Sequence, residues 1–141
     1  VTSRGPWYKK SWKFDESKSG GIASNIGIHF FDMLIRLFGY PTSFSIKEND
    51  LECLKGTLDC PLAQIEFCLS IRQEDLPQEV RNSDQRSWRQ MMIDGEPFDF
   101  TNGFTDLHTK SYEEILAARG FGLQEALPAV SLCESIRRTK G

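Results

Sequence analysis

The chain has 141 residues, 39% of them hydrophobic and 26% charged, which is the size and balance of one ordinary soluble domain. Its longest apolar runs are too short to cross a bilayer. The net charge of −3, without a block of Lys and Arg between aromatic residues, argues against a nucleic-acid partner. Residues 1–20 nevertheless hold five basic and two acidic side chains, and this local charge of +3 fits either a small anionic ligand or a basic segment in solvent.

Four cysteines are present, at positions that form no C-x-x-C pair: Cys53, Cys60, Cys68 and Cys133. The two histidines lie far from them in the sequence, so we predict four free thiols and no metal site. Residues 1–20 show no signal-peptide pattern, which favours a reducing cytoplasm. The chain begins without Met, however, and looks like a piece of a longer protein whose N-terminal part can carry a targeting signal.

The N-terminal part contains the first predicted helix. Residues 2–13 are polar and aromatic and favour a strand or an ordered loop over a helix. Gly20-Gly21 interrupts this segment. Residues 22–38 then predict a helix, which the stop signals Gly39 and Pro41 end.

The middle of the chain predicts a sheet. Residues 64–72 alternate strictly between apolar and polar side chains, which indicates a half-buried antiparallel strand. Its apolar side consists of Ile65, Phe67, Leu69 and Ile71. We expect residues 44–48 and 51–58 to form neighbouring strands of the same sheet.

The C-terminal part predicts a hairpin and two helices. Residues 87–93 and 97–100 flank Asp94-Gly95, a strong turn signal. Ser111-Tyr-Glu-Glu has capping-box spacing and predicts a helix that begins there and stops near residue 120, and a last helix is expected over residues 123–138. The order of elements therefore predicts one α+β domain over residues 1–141, with a mixed or largely antiparallel sheet and helices packed on one face.

The first helix carries a narrow polar stripe. A rotation of about 100° per residue brings four polar side chains to within about 60° of one another: Asn25, His29, Asp32 and Arg36. Apolar residues occupy both flanks, so we expect the helix to be covered nearly all round. In one interpretation the stripe consists of two satisfied i,i+4 pairs, Asn25 with His29 and Asp32 with Arg36. In the other, the stripe lines a ligand cleft where the His29 imidazole takes a proton from a substrate hydroxyl. Periodicity alone leaves both open.

A family resemblance adds chemistry to this stripe. Residues 20–39 carry Gly-Gly followed by Asn25-x-Gly27-x-His29-x-x-Asp32, and they resemble the C-terminal domain of the glucose-fructose oxidoreductase and inositol dehydrogenase family. Further segments resemble, within that family, the nucleotide-sugar 3-dehydrogenases that oxidise UDP-linked N-acetylglucosaminuronate for bacterial lipopolysaccharide and other surface polysaccharides. These segments are residues 4–8, 11–13, 18–21 and 103–115. The resemblance runs almost end to end.

The resemblance implies roles for two residues of the stripe. His29 matches the family's catalytic base, which accepts the proton of the sugar 3-hydroxyl while the carbon beneath it passes hydride to the nicotinamide. Most of the wider family has Asp where this chain has Asn25. Because Asn cannot act as a second base, His29 would act alone, with Asn25 hydrogen-bonding the sugar or orienting the imidazole. The nucleotide-sugar subgroup resembles this chain in having Asn at that position.

The chain lacks the sequence features of a dinucleotide-binding fold. No strand leads into a G-x-G-x-x-G loop, and Gly20-Gly21 and Gly120-Phe-Gly122 have other spacings. We therefore expect NAD or NADP to be bound mainly by an N-terminal domain that this chain does not contain, and the chain alone to be inactive. The resemblance also implies a nucleotide-sugar substrate and a homodimer or homotetramer formed through the sheet.

Four further residues are candidates for substrate contacts: Arg4, Tyr8, Lys18 and His108. The first three would lie near the anionic parts of a uronate or pyrophosphate. His108 would support the residues that touch the substrate, belong to a neighbouring subunit's site, or cap a loop. Trp7 and Trp12 either stack on uracil or sugar or belong to the core. The rival hypotheses are a non-enzymatic module for oligomerisation or ligand binding, in which the stripe is a satisfied core network, and a dehydrogenase of the same family acting on a different sugar or polyol.

Overall fold

The computed structural model describes residues 1–99 and 106–139. Its N-terminal segment contains two short helices, α1 (Pro6–Lys9) and α2 (Glu16–Ser19), with a 3₁₀ turn at Trp12–Phe14 between them. The prediction of a strand or ordered loop over residues 2–13 is therefore wrong for Pro6–Lys9 and for the 3₁₀ turn, and it holds for residues 2–5, where Thr2 forms a β-bridge. Proline at the first position of α1 already has the helical φ angle, and the Asp15 carboxylate caps α2 by accepting the Ser17 N–H at 3.1 Å.

The helix predicted over residues 22–38 is present, with one irregularity. It begins with a π-turn (Ala23–Gly27), whose hydrogen bonds span five residues, and continues as α3 (Ile28–Phe38). Gly20 and Gly21 lead into it with φ of +77° and +70°, a region in which only glycine avoids strain. The sequence signals for both ends of this helix are thus confirmed, but nothing in the apolar periodicity indicated the π-turn.

Three antiparallel strands form the main sheet, in the order β1 (Ser43–Asn49), β2 (Cys53–Cys60) and β3 (Ala63–Ser70). This confirms the predicted central sheet. Alternation along β3 buries Phe67 and Leu69 on the side of α3, while Gln64, Glu66 and Cys68 between them are exposed.

A second ladder is the hairpin of β4 (Gln90–Ile93) and β5 (Glu96–Asp99). It turns at Asp94-Gly95 as predicted, with φ of +50° and +86° at the two turn residues. The first strand begins three residues later than predicted. Phe100, the last residue of the predicted second strand, lies outside the described residues.

The first residues of the chain join the two ladders. The Thr2 N–H donates to the Ser70 carbonyl at 2.8 Å, next to the end of β3. Thr2 also pairs with Ser87, and the Trp88 N–H donates to the Val1 carbonyl at 2.9 Å. The extended N-terminus therefore lies between β3 and the segment that leads into β4.

The remaining helices are α4 (Gln78–Arg81), α5 (Leu107–Leu116) and α6 (Leu123–Arg138). The bounds of α6 agree with the prediction. The start predicted for α5 is wrong, because Ser111 lies inside the helix and its first turn is closed by the Lys110 N–H bonding to the carbonyl of Asp106 at 3.1 Å. The capping-box spacing therefore does not mark a helix start here.

The core lies between the sheet and α3, with α6 packed on α3. Phe31 of α3 meets Phe67 of β3 edge-to-face at 5.4 Å, and the buried side of α6 includes Leu132 and Ile136. This arrangement confirms the predicted α+β class with a largely antiparallel sheet. In the described part of the chain no helix is long and apolar enough to cross a membrane, and no group of His, Cys, Asp or Glu side chains is arranged to hold a metal ion.

Candidate functional site

The π-turn and α3 carry the polar stripe. Only one of its two possible i,i+4 pairs is present. Asp32 and Arg36 form the expected ion pair, with 3.0 Å between Oδ2 and Nε. Asn25 does not pair with His29. Its Nδ2 donates instead to the hydroxyl of Tyr8 at 2.6 Å, so the interpretation in which Asn25 and His29 satisfy each other is wrong. Asn25 lies in the π-turn, where a residue rotates less about the helix axis than in an α-helix, and α1 brings Tyr8 against it.

His29 lies exposed one turn further along. None of the hydrogen bonds and ion pairs among the described residues involves its imidazole. The side chains of Asp32 and Arg36 are each 39% exposed, so the helix is not covered all round as predicted, and the stripe faces away from the core. A solvent-facing imidazole beside a half-buried amide has both ring nitrogens available to a ligand.

The buried side chain of Tyr8 holds the Asn25 amide in place. Only 2% of it is exposed, and its ring packs edge-to-face on Trp7 at 5.6 Å and on Phe14 at 6.1 Å. The guanidinium of Arg4 lies 5.6 Å from the centre of the same ring. The buried ring therefore holds its hydroxyl in one place, and that hydroxyl in turn orients the amide of Asn25.

Arg4 and Tyr8 also line a cavity of about 150 Å³, whose lining includes none of the four stripe residues. Charged side chains of both signs line it, and among them the Lys9 ammonium pairs with the Glu52 carboxylate at 2.6 Å. Arg72 and Glu74 also line it, so the cavity presents basic and acidic side chains together.

The structure does not bring the other predicted substrate residues to the stripe through any described bond. Lys18 is exposed and pairs with Asp15 at 3.0 Å. His108 is exposed near the start of α5. Trp7 and Trp12 are 54% and 58% exposed, so the alternative that they are core residues is wrong.

Gly27 explains part of the motif around His29. A Cβ atom at this position would lie 2.7 Å from the ring of Phe31 and 3.1 Å from a methyl group of Leu69. Glycine therefore allows the helix to approach β3 closely two residues before His29. Sequence reasoning recorded this glycine only as part of the resemblance.

Three contacts that support the site were not predicted. The Cys133 thiol donates to the carbonyl of Ala23 in the π-turn at 3.2 Å, which ties α6 to the start of the stripe. The ring of Phe121 lies over the guanidinium of Arg36, with 4.3 Å to its centre. The third is the bond between Tyr8 and Asn25 already described. All three join residues far apart in sequence, so no local pattern could reveal them.

Comparison with known proteins identifies the domain. A model of an oxidoreductase family, described as its C-terminal alpha/beta domain, matches residues 1–71, which include α1, the π-turn, α3 and the main sheet. The chain belongs to the glucose-fructose oxidoreductase and inositol dehydrogenase family. The predicted family assignment is thereby confirmed.

Two solved structures resemble this family domain over almost all of its length. One is the WlbA (WbpB) dehydrogenase from Thermus thermophilus in complex with NAD and α-ketoglutarate, with 44% identity, a TM-score of 0.94 and 99% of this chain covered. The other is a WlbA (WbpB) dehydrogenase from the same organism in complex with NAD and UDP-GlcNAcA, with 41% identity, a TM-score of 0.93 and the same coverage. The chain spans 45% of the length of each.

Proposed function

We propose that this chain is the substrate domain of an NAD-dependent nucleotide-sugar dehydrogenase that oxidises the 3-hydroxyl of a UDP-N-acetylglucosaminuronate-like substrate. The observation that carries the proposal is the exposed imidazole of His29, beside an Asn25 amide that Tyr8 holds in place. Support comes from the family membership and from the similar dehydrogenase that was solved with NAD and UDP-GlcNAcA. The same evidence favours a dehydrogenase over a non-enzymatic module.

In the proposed reaction His29 acts as the general base. Its neutral imidazole accepts the proton of the sugar 3-hydroxyl while the C3–H bond breaks and a C3=O bond forms, so that a 3-keto sugar results. Asn25 cannot take that proton. Because its Nδ2 is bonded to Tyr8, its carbonyl oxygen remains available to accept a hydrogen bond from the sugar or from the imidazole.

The described residues of this chain do not form a dinucleotide-binding fold. Every strand pair among the described residues is antiparallel, and the chain has no G-x-G-x-x-G loop that leads from a strand into a helix. NAD, or NADP, would therefore be bound mainly by another part of the full-length polypeptide, and it supplies the hydride acceptor when bound. We accordingly expect the purified chain to show no NAD-dependent turnover by itself.

Arg4 is the residue we propose for the anionic part of the substrate. It borders the small charged cavity, and a guanidinium can bind a carboxylate or phosphate through two parallel hydrogen bonds. Arg4→Ala in the full-length enzyme should raise KM more than it lowers kcat, because it removes binding without touching the proton transfer. A kcat loss with unchanged KM would contradict this role.

The setting of the reaction is also a proposal. We place the enzyme in the cytoplasm, in bacterial lipopolysaccharide or related surface-polysaccharide synthesis, and expect a homodimer or homotetramer formed through the main sheet. The exposed side of that sheet offers polar side chains such as Gln64 and Glu66 for such a contact. Light scattering of the full-length protein measures the assembly directly.

The central test is His29→Gln in the full-length enzyme. Loss of the general base should lower kcat by about 10² to 10⁴, with little change in KM and with the fold retained. His108→Gln separates the two imidazoles of the chain, because a kcat loss confined to His29→Gln assigns the base to His29, whereas an equal loss in both variants does not. Near-normal turnover in the His29 variant would exclude it as the base.

The gene upstream of Val1 provides an independent observation. A strand, a G-x-G-x-x-G loop and a helix encoded within about 120 to 160 residues of continuous reading frame would agree with the dehydrogenase. A separate start codon at this domain would instead favour the non-enzymatic module.

A further inference from the structure

Two contacts hold the π-turn from different elements of the fold. On the side of α1, the Tyr8 hydroxyl accepts the hydrogen bond of the Asn25 amide. On the side of α6, the Cys133 thiol donates to the main-chain carbonyl of Ala23, with 3.2 Å between sulfur and oxygen. A π-turn is rare inside an α-helix and replaces the regular hydrogen bonds by wider ones, so it depends on contacts outside the helix.

The helix α6 contacts the start of the π-turn at more than one point. Cys133 and Arg137 lie four residues apart, on one side of α6. While Cys133 bonds to Ala23, the Arg137 guanidinium lies against Gly20, where a Cβ atom would be 3.5 Å from its Cζ atom. Both Ala23 and Cys133 are buried, so this contact belongs to the core. The lead into the polar stripe is therefore set by α6 as well as by α1.

Burial keeps the Cys133 thiol in the form that can donate a hydrogen bond. It raises the pKa of this thiol to about 11, and the positive charge of Arg137 lowers the pKa to a lesser degree. At neutral pH nearly every molecule therefore carries the S–H group, which is a donor, and not the thiolate, which is the nucleophile. The chemistry of Cys133 thus fits a contact with Ala23 and not a reaction with substrate.

We propose that Cys133 is a positioning residue for the reaction at His29. Its thiol fixes the Ala23 carbonyl, and with it the π-turn, on the side of α6. The turn carries the Asn25 amide and ends two residues before His29, so a change in the turn displaces both side chains relative to a bound sugar. The inference rests on the proposed function, because it takes His29 to be the general base.

A positioning role and a purely structural role predict different effects. A hydrogen bond from sulfur is weak, so its loss should change the stability of the fold only slightly. Proton transfer needs the base within hydrogen-bond reach of the hydroxyl, and a displacement of about 1 Å can lower a rate about a hundredfold. Positioning by Cys133 therefore predicts a loss of kcat that is large compared with the loss of stability.

Kinetics of the full-length enzyme test this prediction. Cys133→Ala removes the donor, and we expect kcat to fall about tenfold with a smaller change in KM, because the displaced base affects proton transfer more than binding. Cys133→Ser supplies a hydroxyl donor at the same place and should recover most of the loss. Ile136→Val is the control, because it removes one methyl group from the same buried side of α6 without removing a donor, and its kcat should be unchanged.

Hydrogen exchange of the same full-length proteins tests the hold on the π-turn without any turnover. We expect the backbone amides of residues 23–28 to exchange about threefold faster in Cys133→Ala, since losing a weak bond makes local opening slightly easier. In Cys133→Ser and Ile136→Val these amides should exchange as in the unsubstituted protein. The amides of β2 are the internal reference and should exchange equally in all of the proteins, which also shows that each variant is folded.

Three results would overturn the inference: an unchanged kcat in Cys133→Ala, a kcat loss that Cys133→Ser does not recover or that Ile136→Val shares, and unchanged exchange of residues 23–28 in Cys133→Ala. Failure of the proposed function has a different signature. Faster exchange of residues 23–28 in Cys133→Ala, in a protein without dehydrogenase activity, would contradict the proposed function, while the hold of Cys133 on the π-turn would stand.

Discussion

The bond between Tyr8 and Asn25 predicts the effect of removing a single oxygen atom. Tyr8→Phe keeps the buried ring and its edge-to-face contacts with Trp7 and Phe14, but it deletes the acceptor that Asn25 uses at 2.6 Å. Asn25 is only half-buried, so water can replace part of the lost bond. We expect a loss of about 1 kcal/mol in the free energy of unfolding, which corresponds to a fall of about 3 °C in Tm for a domain of this size.

A double-mutant cycle measures this interaction. Urea unfolding of the chain with Tyr8→Phe, Asn25→Ala and both substitutions should give a coupling energy of about 0.5 to 1.5 kcal/mol. Tyr40→Phe is the control, because this tyrosine is 45% exposed and its hydroxyl should contribute little to stability. Strictly additive effects of the two substitutions would refute the claim that the tyrosine hydroxyl holds the amide in place.

Three further predictions concern packing, thiol reactivity and acid stability. Gly27→Ala should destabilise the chain by about 1 to 3 kcal/mol in urea unfolding, because the new methyl group would lie 2.7 Å from a phenylalanine ring of the same helix; an unchanged midpoint would contradict the close approach. Iodoacetamide at pH 8 should modify the exposed Cys68 first, whereas burial raises the pKa of Cys133 to about 11 and leaves only about 0.1% of it as thiolate; equal rates in a mass-spectrometric time course would contradict this. Hydrogen bonds from Lys55 and from Arg72 hold the pKa of the Glu48 carboxyl below its ordinary value. The stability that these bonds give the folded chain is therefore present above about pH 4 and is lost as the pH falls further. In the Arg72→Met variant, the free energy of unfolding should therefore fall less steeply as the pH is lowered below about 4. A pH profile identical to that of the unsubstituted chain would count against the Glu48–Arg72 pair.

The elements with strong local signals were predictable from the sequence. Strict alternation over residues 64–72 gave β3 and its buried side, because a strand with one side on a core must repeat every two residues. Asp94-Gly95 located the hairpin turn, since both residues have to adopt positive φ. The long helices were found because their apolar periods extend over several turns.

The support of the candidate site was not predictable, because it depends on contacts across the fold. Tyr8 and Asn25 are 17 residues apart, and their bond requires the short helix α1. Four residues are too few to show a helical period, so the polar and aromatic sequence around them did not indicate this helix. The exposure of His29 depends on what covers the stripe, and periodicity indicates only that the stripe exists. The role proposed for that histidine comes from the family resemblance, and the geometry shows that Asn25 bonds to Tyr8 and not to His29.

The π-turn has a consequence for the tolerance of this domain to insertions and deletions. A π-turn holds one residue more than the α-helical turn it replaces, so deleting one residue from Ala23–Gly27 would convert it into regular α-helix. Because the π-turn already holds the extra residue within one turn, the segment before it would keep its orientation relative to α3, whereas a deletion within α3 itself would rotate that segment by about 100° and shift it by about 1.5 Å. The effect of the first deletion would be confined to the turn that places the Asn25 amide against the Tyr8 hydroxyl. The π-turn is therefore the place in this helix where a change of length alters the polar stripe and leaves the packing of the N-terminal segment in register.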